Sequence, residues 1–267
     1  MNDVPILVVD SVTYLNDAAA GAVVIAGSHA AVYTTYLTAK AGARAAIQHD
    51  GGVGRDQAGV GGLVWAENLG MAMAAVSGRT ARIGDGEDML QRGVIGHANR
   101  LAVACGVVAG MPCRDAGERL RATRLPHTRP TPMSETRGLY EAEAGSRPIL
   151  YMDSIALAKP DDHDAIIGSG SHAGIPSAKY AQAVGMKLAL FNDAGIGVDD
   201  SGIAALPLLQ RAGIAAATVS ALSARIGDGR STLHDGVISA LNAAARELGG
   251  RVDMPALELA RMVARME

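Results

Sequence analysis

The sequence predicts an α/β fold: a tandem repeat of two doubly wound parallel-sheet units, Rossmann-like or flavodoxin-like, related by pseudo-two-fold symmetry. The first observation is that residues 10–106 reappear at residues 153–249 without a gap, at a constant offset of 153 − 10 = 143. The second is that each copy alternates short apolar runs with longer segments of helical spacing. Strands joined by helices form a parallel sheet, because right-handed crossovers leave few other solutions.

The apolar runs are the predicted strands. They show no regular alternation of apolar and polar residues, which is typical of strands that are buried on both faces. The runs are residues 6–9, 22–25, 45–47 and 73–76 in the first copy, and residues 149–152, 165–167, 188–191 and 215–219 in the second. Each copy is therefore predicted to contribute four parallel strands.

Helices are predicted between the strands, at residues 32–40, 60–69 and 89–105 of the first copy. Each segment has helical spacing of apolar residues and is followed closely by a glycine, a common helix terminator. A further helix is predicted after Asp253, since Pro255 suits a first helical turn.

These elements predict two domains: a first repeat at residues 1–110, and a second repeat with the C-terminal helix at residues 149–267. The arginine- and proline-rich residues 111–148 are predicted to be a linker or strap. The alternative interpretation is a lid over a site between the halves.

The composition narrows the function classes. A net charge of −3 argues against nucleic acid as the main partner, which requires a clustered basic face. The first residues lack the pattern of a signal peptide, and no apolar run reaches the roughly 20 residues that span a bilayer. We therefore expect a cytoplasmic protein with no membrane partner. Two cysteines do not predict a disulfide framework, and the abundance of Ala and Gly leads us to expect a homo-oligomer.

Polar residues that recur in both copies follow the predicted strands directly. Ligands bind at this carboxyl edge in open parallel sheets. The recurring pairs are Asp10 and Asp153, Ser28-His29 and Ser171-His172, Asp50 and Asp193, Ser77 and Ser220, Arg82 and Arg225, and Asp85 and Asp228. The repeat therefore predicts the location of a site more strongly than its reaction.

Each recurring group has a chemical and a structural interpretation. The Ser-His step could hold an anion on backbone N–H groups and supply a base that titrates near neutral pH, or it could cap a helix. The Asp- and Gly-rich loops could provide an acid or base, or they could be plain turns. The arginines offer a fork that matches a carboxylate or phosphate, or they could form ion pairs with Asp85 and Asp228.

Further patterns bear on the chemistry of these loops. His49 corresponds to Asn192, which predicts that the two aspartate loops no longer do identical work. A Ser-His-Asp triad assembled across the halves remains an alternative. The chain lacks the spacing of a nucleotide-binding loop or a tetrahedral zinc site. No cofactor is expected, although Asp10, Asp50 and Asp56 could form an oxygen-rich site for Mg²⁺ or Mn²⁺.

Two α/β halves that share a site resemble, in architecture only, the aspartate/glutamate racemase group, which works on small carboxylates through paired cysteines. This chain has no cysteine at a repeated strand end. The resemblance therefore implies a small carboxylate ligand but not thiol chemistry.

The leading hypothesis is an enzyme, most simply a hydrolase, that acts by acid–base chemistry on a small anionic carboxylate, amide or lactam metabolite. The alternatives are a lyase or isomerase, a binding or sensor protein, or loops with a purely structural role. The predicted catalytic residues are His172, Asp193, Ser171, His29 and Asp50, and the predicted substrate-binding residues are Arg225, Arg82, Ser28, Asp153, Asp10, Ser220 and Asp228.

Overall fold

The structure, a computed structural model, describes residues 4–266 and forms two compact units. Within the described chain, unit 1 comprises residues 4–53, 57–134 and 197–199, and unit 2 comprises residues 54–56, 135–196 and 200–266. Each unit is a mixed, mainly parallel sheet with interleaved helices. The α/β class predicted from the sequence is confirmed.

Unit 1 contains a five-stranded sheet whose strand order follows the chain. Its strands are β1 (Ile6–Val9), β2 (Val23–His29), β3 (Ala45–His49), β4 (Ala72–Val76) and β5 (Ile95–Ala98). The first four strands are parallel, as predicted, and β5 is antiparallel to β4. Because each crossover leads to the next position in the same direction, the order lacks the reversal that defines a doubly wound sheet.

The helices of unit 1 are α1 (Val32–Lys40), α2 (Gly62–Asn68), α3 (Gly86–Arg92), α4 (Arg100–Ala104) and α5 (Cys113–Leu120). The prediction of one helix at residues 89–105 is wrong, because this segment contains the end of α3, then β5, then α4. The backbone is extended at Gly93, the buried Ile95 enters the sheet, and the Asn99 side chain caps α4 by accepting from the Ala102 N–H at 3.0 Å.

Helices cover both faces of the unit 1 sheet. Successive side chains of a strand point to opposite faces. Ile25 packs in a cluster with Met89 of α3 and Ala116 of α5, whereas the next strand residue, Ala26, belongs to a different cluster. A third cluster joins the sheet to α2 through Leu63. The carboxyl edge of the strands is thus held between two apolar layers.

Unit 2 contains a six-stranded sheet in the order β11-β10-β9-β8-β7-β6. Its strands are β6 (Arg137–Glu141), β7 (Ile149–Met152), β8 (Ile166–His172), β9 (Leu188–Asn192), β10 (Ala215–Val219) and β11 (Ile238–Leu241). Its helices are α6 (Ile175–Val184), α7 (Ala205–Arg211), α8 (Gly229–His234), α9 (Ala243–Glu247) and α10 (Ala256–Ala264). Strands β7 to β10 are parallel, and the two edge strands are antiparallel to their neighbours.

The segment predicted as a linker, residues 111–148, contains regular structure. Helix α5 buries Cys113 and Leu120 in the core of unit 1, and β6 extends the sheet of unit 2. Helices α5 and α10 begin 256 − 113 = 143 residues apart, the same offset as the repeat. None of the helices in residues 4–266 is long and apolar enough to cross a membrane.

Gly27 lets the loop after β4 cross strand β2 in unit 1. The Gly84 N–H donates to the Gly27 carbonyl at 2.8 Å, and a Cβ at Gly27 would lie 2.5 Å from the Asp85 nitrogen and 2.7 Å from the Asp10 carbonyl oxygen. Only a residue without a side chain fits this crossing.

We expect Gly27→Ala to lower the free energy of unfolding by about 1–3 kcal/mol, because a methyl group forces the crossing loop away from the strand. The measurement is urea denaturation. Gly117→Ala is the control, since its Cβ would meet Ile6 Cδ1 at an ordinary 3.4 Å within helix α5. Equal stability of the two variants would contradict the close crossing.

Candidate functional site

The carboxyl edge of the unit 2 sheet collects most of the residues predicted for the second copy. Asp153 follows β7, Ser171 and His172 end β8, Asp193 follows β9, and Ser220 follows β10. Since these strands are hydrogen-bonded neighbours and run parallel, the residues lie along one edge. Unit 1 places Asp10, Ser28-His29, Asp50 and Ser77 in the same manner.

The buried aspartates after β3 and β9 bind backbone. Asp193 is 3% exposed, and its Oδ1 accepts from the N–H groups of Gly195 and Ala221, both at 2.8 Å. Asp50 accepts in the same way from Gly52 at 2.9 Å and Gly78 at 3.0 Å. In each unit one carboxylate oxygen therefore joins two loops, and within residues 4–266 no hydrogen bond to the other oxygen, Oδ2, is identified.

His49 and Asn192 make equivalent hydrogen bonds. His49 Nδ1 accepts from the Gly51 N–H at 3.0 Å, so the neutral ring carries its proton on Nε2, which donates to the Ala81 carbonyl at 3.1 Å. The Asn192 amide accepts from the Ala194 N–H at 2.9 Å and donates to the Ala224 carbonyl at 3.0 Å. These contacts therefore do not distinguish the two loops, and the prediction that the loops do different work stays a prediction.

His29 and His172, the histidines that end β2 and β8, are both buried. His29 lies opposite His49 in the sheet. The pKa of His29 is lowered to about 4, mainly by burial and also by repulsion from His49. Burial also lowers the pKa of His49, against the opposing attraction of Asp50. His172 Nδ1 accepts from the Gly174 N–H at 3.0 Å, so the neutral ring carries its proton on Nε2.

The repeated serines tie the strand ends to the preceding turns. Ser28 Oγ accepts from the Val12 N–H at 3.0 Å, and Ser171 Oγ accepts from the Ile155 N–H at 3.0 Å. Each hydroxyl retains its proton as a donor. Ser220 Oγ accepts from the Leu222 N–H at 3.2 Å, within its own turn.

Asp10 and Asp153 face the beginnings of α3 and α8. Asp10 Oδ1 accepts from the Gly86 N–H at 3.0 Å, and Asp153 Oδ1 from the Gly229 N–H at 3.3 Å. Asp228 is the N-cap of α8 and accepts from the Ser231 N–H at 2.9 Å. Capping α8 is thus a structural role for Asp228, which was predicted to bind substrate.

Both predicted substrate-binding arginines are ion-paired. In unit 2, Arg225 Nε lies 2.7 Å from Asp56 Oδ2. In unit 1, Arg82 Nη2 lies 2.9 Å from Asp199 Oδ2. The pairs predicted from spacing, with Asp85 and Asp228, are looser, at 3.8 and 3.7 Å. The principal partners are remote in the sequence, at residues 54–56 in unit 2 and 197–199 in unit 1.

The residues considered for Mg²⁺ or Mn²⁺ do not share a unit. Asp10 and Asp50 belong to unit 1, while Asp56 belongs to unit 2 and pairs with Arg225. In the described part of the chain, no group of three or more His, Cys, Asp or Glu residues is arranged to hold a metal ion.

Glu135 is the residue that the sequence interpretation missed. It lies two residues before β6, and burial raises the pKa of its carboxyl to about 7, with repulsion from Asp153 as the second cause. The repeat gave no signal for it, because Glu135 lies in the segment that was predicted to be a linker. The pairing of β6 with β7 is what brings it to the carboxyl edge.

Comparisons with models of known protein families, with curated proteins and with solved structures found no match to this chain.

We expect His49→Asn to preserve the loop but to flatten the dependence of stability on pH. The folded state depresses the pKa of His29 from 6.5 to about 4, so the unfolded chain binds the proton first. This contribution, about 3 kcal/mol for His29, is fully present above about pH 6.5 and is lost as the pH falls toward about 4.

Asparagine supplies the same acceptor and donor without a charge, and it removes the repulsion of His29. The free energies of unfolding should agree within about 1 kcal/mol at pH 7, and the variant should lose less stability on acidification. Urea denaturation at several pH values measures both. Asn192→His is the reciprocal control and should steepen the dependence of the free energy of unfolding on pH. Equal dependence on pH in the wild-type protein and both variants would contradict the assigned effect of His49.

Proposed function

We propose that the protein is an enzyme that acts by acid–base chemistry on a small metabolite with a carboxylate, amide or lactam group, most simply as a hydrolase, at the carboxyl edge of the unit 2 sheet. The observation that carries this proposal is the placement of a fixed imidazole and a buried carboxylate on neighbouring strand ends. His172 is 9% exposed and Asp193 is 3% exposed, and polar groups with so little water interact strongly.

The tautomer of His172 supports an electrophilic role. Because Nδ1 accepts from the Gly174 N–H, the neutral ring presents Nε2–H, which can donate to a substrate carbonyl oxygen as negative charge develops there. The hydroxyl of Ser171 can donate as well, since its oxygen accepts from the Ile155 N–H and that bond does not use its proton. Both groups then stabilise an oxyanion, and Ser171 does not need to act as a nucleophile.

Asp193 supports the role of general base. Its Oδ1 is held by two backbone N–H groups, which fixes the carboxylate and leaves Oδ2 to accept a proton from water. Arg225 contributes less to substrate binding, because a substrate carboxylate has to compete with Asp56 for its guanidinium.

We also infer that the two repeats are copies of one fold. Equivalent elements occur in the same order in the two units, and Asp193, Ser171 and Asn192 make the bonds that Asp50, Ser28 and His49 make. This equivalence supports an interpretation of the loops as inherited architecture on which the site is built.

We expect Asp193→Asn to lower kcat by about 100- to 10,000-fold while the fold is retained. The amide oxygen can still accept from Gly195 and Ala221, but the side chain can no longer take a proton. The measurement is product formation by NMR across a panel of small amides, lactams and carboxylates, alongside thermal unfolding with each compound.

Leu222→Ser, in the loop after β10 and at a residue that is 80% exposed, is the control and should turn over substrate normally. Unchanged turnover in Asp193→Asn would sink the proposed role. A compound that raises the unfolding midpoint but is never converted would identify a binding protein instead.

A further inference from the structure

The outer strands of the two sheets are β1 and β5 in unit 1, and β6 and β11 in unit 2. An outer strand exposes unpaired N–H and C=O groups, which proteins cover or protect against pairing with other chains. The Ile95 N–H of β5 donates to the Met111 carbonyl at 2.8 Å, and the Ile238 N–H of β11 donates to the Met254 carbonyl at 2.9 Å. Strands β5 and β11 are therefore each covered by a later segment of the same unit.

Strand β6 is protected in a different way. It begins with the charged Arg137 and ends with the charged Glu141, and its register against β7 shifts between Leu139 and Glu141. Charged side chains and an irregular register both hinder the addition of a further strand. The outer edge of β6 is thus poorly suited to pair with another chain.

Strand β1 has neither kind of protection. Its residues Ile6–Val9 are all apolar, and its pairing with β2 shows no register shift. The described residues contain no strand on its outer side. The equivalent strand of unit 2, β7, begins 149 − 6 = 143 residues later, and β6 pairs antiparallel with it on that side. Strand β1 therefore presents the edge that an antiparallel strand covers in unit 2.

The pairing with β2 shows which backbone groups lie on this outer edge. The Val23 N–H donates to the Pro5 carbonyl at 2.9 Å, so Pro5 faces β2. Alternate residues of a parallel strand face the same neighbour, and Leu7 therefore faces β2 as well. The N–H and C=O groups of Ile6 and Val8 face outward. Within residues 4–266, no hydrogen bond to these outward groups is identified.

We infer that the outer edge of β1 is an interface with a second copy of this chain, and that the two β1 strands pair antiparallel about a two-fold axis at Leu7. In this register Ile6 of each copy lies opposite Val8 of the other, and each such pair exchanges both of its hydrogen bonds. The edge is then complementary to itself, which a two-fold dimer requires. None of the unit 2 residues proposed for catalysis takes part, so the interface is independent of the proposed function.

The side chains of β1 favour this occupant. Ile6 and Val8 pack against one apolar cluster of unit 1, whereas Leu7 and Val9 pack against a different cluster, because successive side chains point to opposite faces of the sheet. A second β1 strand continues both apolar layers across the axis. A strand that alternates apolar and polar residues continues only one of them.

The charges at the ends of β1 favour the antiparallel direction. The exposed Asp10 follows the strand, and before the strand the Arg121 Nε donates to the Val4 carbonyl at 2.6 Å. Antiparallel pairing brings Asp10 of each copy opposite Val4 of the other, beside this guanidinium, which also pairs with Glu118. Parallel pairing places the two Asp10 carboxylates side by side, where like charges repel each other.

Sedimentation velocity of the whole chain over a range of concentrations tests the interface. We expect a dimer whose Kd rises about 100-fold or more in Val8→Pro, because proline removes an outward N–H from each copy and places a ring methylene on the edge. Val8→Ala is the matched control. It removes side-chain volume but keeps the N–H, and it should remain a dimer. Thermal unfolding verifies that both variants fold.

A disulfide tests the register without relying on the proline variant. Residues opposite each other in a non-hydrogen-bonded antiparallel pair have Cα atoms about 4.5 Å apart, which suits a disulfide. Leu7→Cys in a Cys105→Ser background should therefore cross-link two copies on oxidation, while the remaining Cys113 is buried. Pro5→Cys in the same background is the control. Pro5 is exposed, but this register places it opposite Val9 of the other copy.

Several outcomes overturn the inference. A wild-type protein that is monomeric at every concentration tested does so, and protection of its Ile6 and Val8 amides from hydrogen exchange would then show that the edge is covered from within the chain. A dimer that Val8→Pro leaves intact places the contact on another surface. Equal cross-linking of the two cysteine variants, or none in Leu7→Cys, excludes a two-fold axis at Leu7.

Discussion

The structure depends on hydrogen bonds to the buried backbone groups in the loops that follow the parallel strands. A buried N–H or C=O without a partner costs free energy comparable to a lost hydrogen bond, and these loops have no ladder to satisfy them. Side chains do so instead. Asp50 accepts from the N–H groups of Gly52 and Gly78, and Asp193 accepts from those of Gly195 and Ala221 in unit 2. This network holds the carboxyl edge of each sheet in shape.

This constraint explains why the strands could be predicted and parts of the connections could not. Continuous apolar runs such as residues 45–47 have one stable location, the middle of a covered sheet. By contrast, β5 contains Gly96 and His97 and lies at the edge of its sheet, so its apolar content is too low to distinguish it from helix. Strand β6 has the same difficulty, and its pairing with β7 is a tertiary choice that local sequence does not encode.

The repeat pointed to the carboxyl edge of each sheet but could not separate architecture from chemistry. A residue recurs in both copies if it supports a loop, and Asp193, Asn192 and Ser171 all do so. The equivalence of His49 and Asn192 shows that the geometry constrains donors and acceptors more tightly than residue type. The partners of Arg82 and Arg225 were beyond local reasoning too, because Asp199 and Asp56 are more than a hundred residues away in the sequence.

Differences between the units are therefore more informative about chemistry than their similarities. The loop network is equally well served when Ser231 replaces Asp88 beneath the arginine, since both accept its backbone N–H. Such exchanges leave the edge unchanged and carry no chemical meaning. The addition of β6 does change it, because this strand brings the Glu135 carboxyl near Asp153, whereas the described residues contain no strand outside β1 in unit 1. A fold can acquire a specialised site in this way, when a group is added at an edge that is already held rigid.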